Sequence, residues 1–139
     1  MQLKHFTLCA VSLAASAGAA QAQPFTQADS LKDLPASLQK VLGVGGGDNA
    51  IADRGERFNA GCVGEKNVPH KRFLIGAVSA DLVVVAIEVG GYAHYSQTLQ
   101  YRRMGENWIR SETKNAVGFP KSMQELLQGD AKPALAAAL

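Results

Sequence analysis

Arg72-Phe73-Leu74-Ile75-Gly76-Ala77-Val78 and Leu82-Val83-Val84-Val85-Ala86-Ile87-Glu88-Val89, with Ser79-Ala80-Asp81 between them, are the part of this chain that speaks most clearly about its fold. Both runs are rich in β-branched residues, whose crowded Cβ atoms suit an extended backbone. The connecting loop is of hairpin length, so the two runs are expected to pair as antiparallel neighbours. The second run is almost continuously apolar, which predicts a central strand covered on both faces over part of its length. Gly90-Gly91 ends it.

Downstream the pattern changes to alternation. Ala93, Tyr95, Leu99 and Tyr101 fall on one side of an extended chain, and His94, Ser96, Thr98, Gln100 and Arg102 on the other. That period of two predicts a half-exposed antiparallel strand. Met104-Gly105-Glu106 turns the chain into a last strand over Asn107 to Thr113, with Trp108 and Ile109 at its start. A short strand around Arg57 to Val63 is expected to join the same sheet.

Upstream, Leu31, Leu34, Leu38, Val41 and Leu42 recur at three- and four-residue spacing, the mark of one apolar helix face. Asp33 is placed to cap this helix, Pro35 fits its first turn, and Gly43 stops it. Residues 23–30 carry no such pattern and read as a flexible lead-in. The run from Gly43 to Asn49 reads as a linker. A phosphate-binding loop needs a strand before it and a helix after it, with a Lys-Ser/Thr pair in the P-loop case. Near the other end, Ser122 and Glu125 have capping-box spacing and open a short helix containing Met123, Leu126 and Leu127. Residues 133–139 read as a frayed tail.

Strands in one run with helices at the ends predict an α+β fold: an N-terminal helix, a four- to five-stranded antiparallel meander, and a short C-terminal helix. The two helices are expected to cover one side of the sheet. A homodimer through the sheet's remaining open face or edge is the expected cover for the rest.

The first residues point to export. Lys4 and His5 precede an apolar run from Phe6 to Ala15, and Ala20-Gln21-Ala22 is an A-x-A cleavage site. The run is about half the roughly 20 apolar residues that a membrane span needs. We therefore expect residues 1–22 to be a cleaved signal peptide, and residues 23–139 to form a single domain of the periplasm or the secreted fraction of a bacterium. No N-x-S/T sequon occurs: Asn49, Asn59, Asn67, Asn107 and Asn115 all fail the pattern.

Composition narrows the function. The whole chain has 14 Lys and Arg against 12 Asp and Glu, and Lys4 leaves with the signal. Basic residues pair only at Lys71-Arg72 and Arg102-Arg103, so no concentrated positive face for nucleic acid is expected. Cys62 is the one cysteine beyond the signal. An odd thiol cannot form an internal disulfide, and burial is its expected state. Cys62 with His70 and His94 is a conceivable nucleophile and base, but no spacing in the chain forces them together. His70 and His94 lack the further ligands that a zinc site needs. No cofactor motif occurs, and no catalytic residue is assigned. Glu88, interrupting an apolar run, is expected to be a solvent-side or edge charge.

The binding candidates are the polar row His94, Ser96, Thr98, Gln100 and Arg102, spaced about 7 Å apart, with Trp108 beside it. Tyr92 and Arg110 extend the row if the last hairpin forms. Hydroxyl, amide, guanidinium and aromatic groups on one platform suit a protein or glycan partner. The polar segment from Asp48 to Gly61 is a second candidate. The expectation is a non-enzymatic binding or accessory protein of the envelope. A Cys62-dependent hydrolase or redox enzyme, or a structural subunit of an envelope assembly, are its alternatives.

Overall fold

A computed structural model describes residues 24–47 and 50–131. The expected signal peptide and the expected frayed tail lie outside the described residues. The elements are β1 (Thr26–Ala28), a single 3-10 turn (Leu31–Asp33), α1 (Ala36–Leu42), β2 (Lys71–Val78), β3 (Leu82–Val89), β4 (Tyr95–Met104), β5 (Asn107–Ala116) and α2 (Met123–Ala131). The strands form one antiparallel sheet in chain order, β1-β2-β3-β4-β5. The fold is α+β.

The two apolar runs form the expected hairpin, with Val78 opposite Val83 and Lys71 opposite Val89. A bulge between Phe73 and Ile75 shifts their register. One extra residue in a strand sends every later side chain to the other face. Phe73 therefore packs with Val83, Val85 and Ile87, whereas Ile75 and Ala77 join Val84 and Ala86 on the reverse side.

Both faces of β3 are covered, and the helices divide the work. Leu31, Leu34 and Leu38 lie over Phe73, Val83, Val85, Leu99 and Tyr101. Leu126 of α2, with the partly buried Met123 and Leu127, lies over Ile75, Ala77, Val84 and Ala86. This corrects the expectation that both helices share one side. An unbroken apolar strand has two faces to bury, and one short helix serves each.

Four further expectations change. The N-terminal helix is interrupted: a 3-10 turn over Leu31–Asp33 gives way at Leu34 and Pro35 to a seven-residue α-helix. The break alters the phase of the apolar face, so Leu31, Leu34 and Leu38 are buried while Val41 is 51% exposed. Gly43 caps α1 in the left-handed conformation, φ 85°, which glycine adopts without a Cβ penalty. Part of the lead-in is not loose, because Thr26–Ala28 pair with Gly76–Val78 as an edge strand. The segment from Arg57 to Val63 is loop instead of strand. Its place beside the start of β2 is taken by Ala52, whose amide donates to Lys71 O and whose carbonyl accepts from Phe73 N. The last strand runs beyond Thr113 to Ala116.

Among the described residues no helix is long and apolar enough to cross a membrane.

Candidate functional site

β4 pairs with β3 in unbroken register, which places Ser96 opposite Glu88, Thr98 opposite Ala86, Gln100 opposite Val84, and Arg102 opposite Leu82. Val84 and Ala86 face α2, so these four members of the expected row face α2 as well. The row is not uniformly exposed. Ser96 is 1% exposed, because the chain folds back over it after β5 and its hydroxyl donates to Gly118 O, and to Ala116 O at 3.3 Å. Thr98 and Gln100 are half-buried and Arg102 is exposed.

Trp108 leaves the group altogether. It lies opposite Arg103, on the α1 face, and is buried in the core with Leu38 and Tyr101. Arg110 also sits on that face, its guanidinium 5.7 Å from the Tyr101 ring centroid. His94 precedes β4 and joins a different cluster. Tyr92, in the same β3–β4 loop, is fully exposed.

What remains of the row has neighbours that alternation alone did not reveal. α2 packs on β2 and β3, so among the described residues no helix packs on the β4–β5 half of this face. Lys114 lies opposite Thr98, Glu112 opposite Gln100, and Ile109 opposite Arg102. Ile109 is 53% exposed. Thr98, Gln100, Arg102, Ile109, Glu112 and Lys114 thus form an open platform of mixed charge with one apolar member. A cleft of about 290 Å³ runs between this platform and α2, lined by Ser96, Thr98, Phe119, Pro120 and Leu126 among others.

At the end of the platform stands a cluster centred on Glu88. The carboxylate, its side chain 9% exposed, accepts from Arg72 Nε at 3.1 Å and Nη2 at 2.7 Å. His94 Nε2 lies 2.6 Å from the other oxygen. An ionised carboxylate only accepts, so that nitrogen carries the proton. Arg72 rests 4.2 Å over the Phe58 ring. His94 sits between Phe58 and Phe119, with centroids 6.3 and 5.1 Å away. Glu88 is therefore a buried, fully partnered charge on a central strand, a correction to its expected place at an edge. It ties the loop carrying Phe58, the start of β4 and the segment after β5 to the sheet.

The polar segment after the glycine linker is largely consumed by the fold. Asp53 accepts from the Ser30 hydroxyl at 2.5 Å and from the amides of Leu31 and Arg54. Burial opposes its charge, but these hydrogen bonds and the charge of Lys32 outweigh it and hold the carboxyl below the ordinary aspartate range. Asn59 bonds the backbone of Glu65 and Val68. Arg57 pairs with Glu65, and Arg54 with Asp29.

Cys62 is exposed, contrary to the expected burial, because the loop that carries it lies outside the sheet and its cover. No hydrogen bond joins it to His70 or His94, and His94 is engaged by Glu88. Among the described residues no three His, Cys, Asp or Glu side chains are grouped to hold a metal ion. The chain matches no known protein family, no curated protein and no solved structure with which it was compared.

Proposed function

We propose that the chain is a small bacterial envelope protein, periplasmic or secreted, that works by binding a protein or glycan. The platform of Thr98, Gln100, Arg102, Ile109, Glu112 and Lys114 is its contact surface. The observation that carries this reading is the unequal cover of one sheet face: among the described residues, α2 lies over β2 and β3 and no helix packs on β4 and β5. A polar, half-exposed sheet face beside a cleft offers hydroxyl, amide and charged groups at strand spacing, with Ile109 for an apolar contact. The export expected from residues 1–22 places such a surface among envelope proteins and glycans.

The test is capture from envelope extract with the wild type and with Thr98→Asp plus Arg102→Glu, both confirmed as folded by circular dichroism. A partner retained by the wild type and lost by the double variant supports the platform. Identical captures from both, or no capture by either, would count against it.

A further inference from the structure

Among the described residues the sheet has two edges, β1 and β5, and they differ sharply. β1 is three residues long. β5 is ten residues long and exposed over most of its length. A long open edge presents a row of unpaired N–H and C=O groups, which is a template for another strand.

The bulge between Gln100 and Tyr101 divides β5 at Ser111. Beyond it, Glu112 and Lys114 share the α2 face and pair with each other at 3.3 Å, while Thr113 between them points to the opposite face. The order Glu-Thr-Lys is self-complementary when read antiparallel. With Thr113 on a two-fold axis normal to the sheet, Glu112 stands opposite the partner subunit's Lys114, and Lys114 opposite the partner subunit's Glu112. Such an axis preserves faces, so all four charges lie on one surface and alternate in sign.

Neighbouring registers fail. Centring on Glu112 or on Lys114 sets that residue against its own copy. Centring on Ser111 pairs Arg110 with Glu112, but Arg110 lies opposite Tyr101 and Glu112 opposite Gln100, so the two occupy different faces. We infer that the chain forms a two-fold homodimer through β5, centred on Thr113, in which the two sheets become one continuous sheet. This goes beyond the binding reading and stands independently of it; the dimer would set two platforms side by side.

Sedimentation velocity under reducing conditions, so that Cys62 cannot cross-link copies, tests the inference. The wild type is expected to be dimeric. Glu112→Lys and Lys114→Glu each set like charges opposite one another twice, and each is expected to weaken self-association by roughly tenfold or more. An equimolar mixture of the two single variants is expected to dimerise, because every cross-strand pair is then complementary. The double variant Glu112→Lys with Lys114→Glu, which swaps both charges, is expected to dimerise alone. A monomeric wild type, single variants as dimeric as the wild type, or a mixture and a swap that both stay monomeric would each overturn the inference. Capture of an envelope partner does not enter these readouts, so the two proposals fail separately.

Discussion

Glu88 and Asp53 are two carboxylates that the fold uses differently. Glu88 is held on a central strand, where removing one member of a buried pair strands the other. Glu88→Gln keeps the shape and removes the charge that Arg72 and His94 share, and is expected to cost about 1–3 kcal/mol, read as a lower thermal midpoint. His94→Ala, at the exposed side of the same cluster, is expected to cost less. Asp53 instead fastens the Ser30 turn to the loop beyond the glycine linker. Its folded carboxyl binds a proton only at a lower pH than the unfolded one. Its stabilisation is therefore full above the ordinary aspartate value of 3.8 and drains away as pH falls through the lower folded value. Asp53→Asn should lower the midpoint at pH 7 and flatten its decline below pH 4 relative to the wild type. Thermal melts across that range check it; parallel declines in both proteins would remove Asp53 from this role.

The elements divide into those that periodicity revealed and those that contacts created. Leu34, Leu38, Leu126 and Leu127 were legible as the apolar faces of helices, and all but Leu127 are fully buried. Leu38 in α1 and Leu126 in α2 serve opposite faces of the sheet, so Leu38→Ala and Leu126→Ala should each cost about 2–5 kcal/mol. Lys40→Ala, on the outer side of α1, should stay within about 0.5 kcal/mol. Chemical denaturation of the three variants separates these outcomes, and a neutral Leu126→Ala would detach α2 from the core. Gly90 marks a contact no pattern announced: a Cβ there would stand 2.0 Å from Asn59 O. Gly90→Ala should therefore displace the 59–61 segment, visible as faster amide exchange there than in the wild type. The bulge at Phe73 and Ile75 was equally silent, because Phe-Leu-Ile fits an unbroken apolar strand. Only the demand of two separate cores sends Ile75 to the α2 side.

For the molecule as a whole, the expected processing site has a direct test. Intact-mass measurement of the exported protein should show a chain beginning near Gln23, and a retained Met1 would sink the export reading. The binding row shows how far alternation reaches. It correctly grouped Ser96, Thr98, Gln100 and Arg102 on one face, since side-chain period is a property of the strand itself. It could not say that the segment after β5 buries Ser96, or that the last hairpin turns Trp108 to the α1 face.

Local chemistry was enough to specify the β2–β3 hairpin, the alternation of β4, the turn at Gly105 and the two helices at the ends. Each rests on propensities and spacings within a few residues. The assignment of helices to opposite faces, the recruitment of Thr26–Ala28 as an edge strand, the burial of Glu88 with Arg72 and His94, and the exposure of Cys62 rest on residues far apart in the chain. Those arrangements follow from competition for a limited apolar surface and for hydrogen-bond partners. That competition is settled only when the sheet has formed and each segment has found what is left to cover.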